Sequence, residues 1–122
     1  MAKILVVDDS ETLRNQVKKI LEGKGHEIHE ADNGVTGLSQ LEKVAGIDLI
    51  LCDVNMPEMD GLTMCEKLVA SDSLQKPPIF MLTTESSKEM KVRGKAAGVL
   101  AWVTKPFVED KLLGAVGKIL TR

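Results

Sequence analysis

Ile47-Asp48-Leu49-Ile50-Leu51-Cys52-Asp53 is the stretch that decides how this chain folds. A short, nearly continuous apolar run bounded by turn residues reads as a strand buried on both faces, as at the centre of a parallel sheet. Pro57 and Gly61 punctuate the segment Val54-Asn55-Met56-Pro57-Glu58-Met59-Asp60-Gly61 that follows, and Asp60 is a good cap for a helix after it. Asp53 therefore stands at the carboxyl end of a central strand. In open α/β sheets ligands bind outside that edge. Considered alone, Asp53 is equally well a loop carboxylate bonded to a backbone amide.

Toward the N-terminus, Lys3-Ile4-Leu5-Val6-Val7 is a first strand, ended by Asp8-Asp9-Ser10. Leu13, Val17, Ile20 and Leu21 recur at helical spacing up to Gly23 and Gly25. His26 to Glu30 is a second, more exposed strand. Its histidines, His26 and His29, lie an odd number apart and face opposite sides, so they are surface residues and not a metal pair. Asp32-Asn33-Gly34 reads as a turn before a helix carrying Val35, Leu38 and Leu41 and ending near Gly46.

Toward the C-terminus, Leu62, Cys65, Leu68 and Val69 mark a helix, and Pro77-Pro78 introduces a strand, Ile79 to Leu82, ended by Thr83-Thr84-Glu85. Ser86 and Glu89 have capping-box spacing for the next helix. Its apolar face is thin, only Met90, Ala96 and Ala97 beside Lys88, Lys91, Arg93 and Lys95, which predicts a loosely held element. Val99 to Val103 is the last strand, ended by Thr104-Lys105-Pro106, and Val108, Leu112, Val116, Ile119 and Leu120 form a final helix. Five strand-helix units in strict alternation predict an α/β fold, one doubly wound parallel sheet with helices on both faces, as a single domain over residues 1–122.

Composition removes several classes of function. A net charge of −2 gives no basic footprint for nucleic acid, and with Phe80, Trp102 and Phe107 as its aromatics the chain offers no stacking platform for bases. No apolar run approaches bilayer length, and Asp8 and Asp9 rule out a signal peptide. Cys52 and Cys65 lack metal-site spacing and fall on buried faces, so both read as core thiols suited to a reducing cytoplasm.

Right-handed units deliver every strand end to the same edge. There the first strand supplies Asp8 and Asp9, the third Asp53, the fourth Thr83 and the fifth Lys105. Each has an ordinary explanation as a cap or a solvated charge. Jointly they describe a site. Two carboxylates about 4 Å apart repel by roughly 4 kcal/mol at an effective dielectric near 20, so three in one cleft call for a cation. An all-oxygen set with few protein groups suits Mg²⁺, and a hydroxyl and an ammonium suit phosphoryl oxygens. Together these residues fit an aspartyl-phosphate site.

Asp8-Asp9, Asp53 in D-V-N-M-P-E-M-D-G, Thr83 in L-T-T-E and Lys105 in K-P-F resemble the receiver domain of two-component response regulators, over the whole chain and most closely in its stand-alone, CheY-like chemotaxis form. The resemblance implies a flavodoxin-like strand order of 2-1-3-4-5. It implies that Asp53 is the phosphoacceptor, served by a histidine kinase of the chemotaxis type. Asp9, Asp53 and the backbone carbonyl of Asn55 would ligate Mg²⁺, with Asp8 acting through water. Thr83 and Lys105 would bind phosphoryl oxygens, and the Lys105-Pro106 bond would be cis. Trp102, otherwise a core aromatic, would be a rotamer switch with Thr83, and Asn55 and Glu85 would modulate hydrolytic water. Val54 replaces the Trp found after the phosphoacceptor in the best-known CheY proteins.

Implied partners of this cytoplasmic monomer are the kinase, a flagellar motor switch protein or other target of the activated face made by the fourth helix, fifth strand and fifth helix, and a phosphatase. The protein would be a signalling phosphoacceptor with self-dephosphorylation. A phosphoryl shuttle or sink in a relay is the competing use. A Mg²⁺-dependent phosphatase with an aspartate nucleophile normally needs a longer chain with a covering element. A flavodoxin needs a Ser/Thr/Gly-rich loop where this chain has Asp8 and Asp9. A receiver used purely for docking would not need the acidic site.

Overall fold

The computed structural model describes residues 1–121. In chain order the elements are β1 (Lys3–Val7), α1 (Glu11–Glu22), β2 (Glu27–Ala31), α2 (Gly34–Lys43), β3 (Leu49–Cys52), α3 (Gly61–Ala70), β4 (Ile79–Thr83), α4 (Lys88–Ala96), β5 (Val99–Thr104) and α5 (Glu109–Leu120). The strands pair in parallel in the order β2-β1-β3-β4-β5, which is the order the resemblance implies.

Side-chain alternation along the central strands builds two cores, one on each face of the sheet. Leu5 and Val7, Ile50 and Cys52, and Ile79 and Met81 point to the face covered by α2, α3 and α4, where Leu41, Leu62, Met64 and Leu68 meet them. Ile4 and Val6, Leu49 and Leu51, and Phe80 and Leu82 point to the other, covered by Val17 and Leu21 of α1 and Leu112 and Val116 of α5. All of β3 is buried, as its apolar run requires. Burying each such side chain contributes about 1.5–3 kcal/mol, so this double-sided core fixes where Asp53 emerges.

Several local expectations are corrected. The cap of α4 is Ser87, whose hydroxyl accepts from the Met90 amide at 3.2 Å; Ser86 lies outside the helix, so the Ser86–Glu89 capping box does not form. Asn33 is not in a turn but caps α2 in a capping box with Thr36. Val35 and Ala96 turn outward, the small residues Gly37 and Gly94 taking the closest approaches on α2 and α4, and Val69 of α3 is exposed as well. Val108 precedes α5 as its N-cap residue and is 57% exposed. Both histidines are half-buried: His26 Nδ1 accepts from the Ala2 amide at 3.2 Å, and His29 pairs with Glu27 at 2.6 Å. Cys52 and Cys65 are buried free thiols; hydrogen bonding to Cys65 and full burial hold the Cys52 thiol well above its ordinary range. The Lys105-Pro106 bond is cis.

Candidate functional site

Strand ends, not loops, place the acidic residues. The Asp8 amide continues the sheet by donating to the Ala31 carbonyl at 3.0 Å, and the Asp53 amide donates to the Val7 carbonyl at 2.9 Å. Both carboxylates thus leave the same edge, and Asp9 joins them: one oxygen from each of Asp8, Asp9 and Asp53 lies within 4.8 Å of the others. Asp8 and Asp53 are buried, whereas Asp9 is exposed.

Gly61 sets how closely α3 approaches Asp53. A Cβ at residue 61 would sit 1.9 Å from the Asp53 carbonyl oxygen, so no side chain is compatible with this backbone. The loop before it closes by a hydrogen bond from the Met59 amide to the Pro57 carbonyl, with Glu58 between them at φ 64°, a left-handed conformation uncommon for a residue other than glycine.

Lys105 crosses from β5. Its Nζ lies 2.7 Å from Asp8 Oδ2 and 3.1 Å from Asp53 Oδ2, and its amide donates to the Thr83 carbonyl at 2.8 Å. Burial works against the ammonium, but the hydrogen bonds to Asp8 and Asp53 outweigh it and hold its pKa above the ordinary lysine value. Burial dominates at Asp8 and raises its carboxyl above the usual range, against the opposing bonds from Lys105 and the Ser10 amide. The two directions are consistent: one ammonium is shared between two carboxylates, so it is fully compensated while Asp8 is not.

Asp53 Oδ1 is buried and has no hydrogen-bond partner among the described residues. Three clustered carboxylates, one with an orphaned oxygen, are a donor set for a hard cation: all oxygen, net negative and partly open to water through Asp9. The residues therefore fit Mg²⁺, with Asp8, Asp9 and Asp53 available to hold it. Asn55 is exposed in the loop two residues beyond Asp53.

Thr83 is fully buried at the end of β4, and its hydroxyl accepts from the Glu85 amide at 3.1 Å. The Glu85 carbonyl in turn accepts from the indole Nε1 of half-buried Trp102 at 2.7 Å. Thr83 and Trp102 are thus linked through the backbone of Glu85, which the sequence offers only for its side chain. Arg14 was also not foreseen: its Nη1 donates to the Asp8 carbonyl at 2.6 Å. The signal was present, an arginine four residues beyond the Ser10 cap, but helical spacing alone does not show which way it points.

Comparison with known proteins agrees with this geometry. The model of the response regulator receiver domain matches residues 4–117. The chain is 36% identical over 121 residues to the chemotaxis protein CheY-3 of Vibrio cholerae, covering 98% of this chain and 92% of that one. It is 39% identical over 111 residues to the chemotaxis protein CheY1 of Helicobacter pylori, covering 90% of each. Among solved structures, the chemotaxis protein CheY4 of Vibrio cholerae superposes with a TM-score of 0.89 at 39% identity, over 98% of this chain and 99% of that one. With a five-stranded sheet in the same order and an acidic edge built from the ends of β1 and β3, the chain belongs to the response regulator receiver domain family, in its CheY-like form.

Proposed function

We propose that the chain is a phosphoacceptor switch of a two-component pathway, taking a phosphoryl group from a histidine kinase onto Asp53 and acting in chemotaxis, with a flagellar motor switch protein as its target. One observation carries this reading. Asp53 keeps an unpartnered oxygen among the acidic trio while its other oxygen faces Lys105. That combination suits a carboxylate waiting for a cation and a phosphoryl group.

Asp8, Asp9 and Asp53 would hold Mg²⁺ with the Asn55 carbonyl, and the ion would supply charge neutralisation for the transferring phosphoryl oxygens. The remaining steps belong to the chain. An Asp53 carboxylate oxygen attacks the phosphorus of a phosphohistidine; the O–P bond forms as the P–N bond breaks, and the imidazole leaves and takes up a proton. Lys105, already charged and fixed, faces the added negative charge. Asn55 and Glu85 flank the path of the water that later hydrolyses the acyl phosphate, the self-dephosphorylation of this reading.

Phosphorylation adds about two negative charges and three acceptor oxygens. Turning the Thr83 hydroxyl toward them releases the Glu85 amide, and the Glu85 carbonyl, on the adjoining peptide unit, anchors Trp102. The groove of about 480 Å³ lined by Lys91, Lys95, Leu100 and Trp102 would then change shape. Arg93 does not add to its charge, because it pairs with Glu66 of α3 at 2.8 Å. Lys91 and Lys95 favour a partner with acidic residues.

Labelling by acetyl phosphate or by a phosphorylated kinase is expected for the wild type and not for Asp53→Asn; a labelled Asp53→Asn protein refutes the assignment. Pull-down with beryllofluoride, an aspartyl-phosphate mimic, is expected to retain a motor-switch protein that the untreated chain does not. Retention of a second histidine phosphotransfer protein instead would identify a relay shuttle.

A further inference from the structure

We infer that Arg14 is a positioning residue for the cation site, gripping the peptide between Asp8 and Asp9 and so fixing the directions in which both carboxylates leave β1. The inference rests on the functional reading above, in which these carboxylates face Mg²⁺.

Every polar group of Asp8 is held. Its amide donates to Ala31, its Oδ1 accepts from the Ser10 amide at 2.9 Å, its Oδ2 accepts from Lys105 at 2.7 Å, and its carbonyl accepts from Arg14 Nη1 at 2.6 Å. The first three fix the strand and the carboxylate. The fourth acts on the carbonyl of the Asp8–Asp9 peptide. Because a peptide unit is planar, holding that oxygen sets the rotation of the whole unit and the point from which Asp9 projects. Asp9 is exposed and makes no hydrogen bond of its own among the described residues, so its backbone alone aims it.

Arg14 is built to hold still. Its side chain is 15% exposed, and its Nε meets Glu30 Oε1 at 3.2 Å. Lys18 steadies the other Glu30 oxygen at 3.5 Å, and Gln40 Nε2 donates to the Glu30 carbonyl at 2.9 Å. A planar guanidinium braced at one nitrogen presents the other in a fixed direction, which a lysine cannot do.

Charge and geometry predict opposite signs. As a mere positive neighbour of the acidic edge, Arg14 opposes cation binding, and its neutralisation tightens Mg²⁺. As a brace it supports binding, and its loss weakens Mg²⁺. The test is isothermal calorimetry of Mg²⁺ binding to wild type, Arg14→Gln and Arg14→Lys, well below each variant's metal-free melting temperature. Groups that orient metal ligands typically govern about 10–100-fold in affinity, so Arg14→Gln is expected near the lower figure. Arg14→Lys loses the fork and keeps the opposing charge, so a weakening at least as large is expected. If Arg14→Gln does not fold, Arg14→Lys decides alone: weakening supports the brace, and unchanged affinity overturns it. Affinity equal to or tighter than wild type in Arg14→Gln also overturns the inference and leaves the functional reading intact. A wild-type chain that binds no Mg²⁺ overturns both.

Discussion

Lys105 Nζ reaches Asp8 Oδ2 at 2.7 Å and Asp53 Oδ2 at 3.1 Å, joining groups 97 and 52 residues away in the chain. The contact binds β5 to the ends of β1 and β3, which are not its neighbours in the sheet. It also sets the charge balance of the edge: three carboxylates face one ammonium.

Lys105→Met removes that ammonium and leaves two buried carboxylates without their cation. Removing one partner of an enclosed pair costs about 3–5 kcal/mol. Here the lysine side chain is 15% exposed, so water recovers part of the loss, and about 1–3 kcal/mol is expected without metal. Mg²⁺ should shrink the deficit by neutralising the same carboxylates. Urea unfolding in chelator and in Mg²⁺ measures both values, and a variant as stable as wild type in chelator contradicts the role given to the lysine.

Asp9→Asn probes the crowding from the other side. Asp9 is exposed and lies within 4.8 Å of the other two carboxylates, a separation at which like charges repel by about 1 kcal/mol when water screens the exposed partner. The metal-free variant is expected to melt roughly 2–5 °C above wild type and to lose most of the stabilisation that Mg²⁺ confers on wild type. A lower metal-free melting temperature would show that repulsion is not what the site stores.

The sheet was legible because its signal is repeated: five apolar segments in alternation with helical ones leave few topologies, and the Asp53 run was long enough to be assigned to the centre. The acidic edge followed, since parallel strands share one carboxyl end. Less legible was everything decided by close approach. Val35 and Val69 fit a helical period as well as their buried neighbours do, and only the position of the next element turns them outward. Gly61 reads as punctuation in the sequence, whereas in the fold it makes room for the Asp53 carbonyl. The link from Thr83 to Trp102 runs through the Glu85 main chain, and main-chain contacts leave no mark on residue identity.

His26 gives the acid side of the stability profile a predicted shape. Burial, with a smaller effect from the N-terminal amine, holds its pKa below the ordinary 6.5, and its Nδ1 accepts the Ala2 amide, a bond only the neutral ring can make. The unfolded chain therefore takes up a proton first as pH falls. Stability from this residue is present above pH 6.5 and is lost as pH drops from there through the folded pKa. An NMR titration should give a folded midpoint below that of the denatured chain, and His26→Gln should flatten this limb of the melting-temperature profile. A folded midpoint at or above the denatured one contradicts the assignment.

Gly94→Ala tests the mechanical coupling at Trp102. A Cβ at residue 94 would lie 2.8 Å from the indole Cζ3 and 3.4 Å from Leu62 Cδ2, so the ring must give way. Alanine favours the helix by about 1 kcal/mol over glycine, while overpacking costs about 1–3 kcal/mol. A net loss of at most about 2 kcal/mol follows from those two ranges, and the variant should fold. What changes is the hydrogen bond from Nε1 to the Glu85 carbonyl, now 2.7 Å, because the ring carrying that donor is the group displaced. The indole N–H is expected to exchange faster with solvent and the emission maximum to move to longer wavelength. Freeing the Glu85 carbonyl also loosens the Glu85 amide, on the adjoining peptide unit, from the Thr83 hydroxyl, so the Glu85 amide should lose protection in the same variant although residue 94 does not touch it. Indole exposure without any change at the Glu85 amide would mean that Trp102 and Thr83 move independently, and the coupling through Glu85 would have to be abandoned.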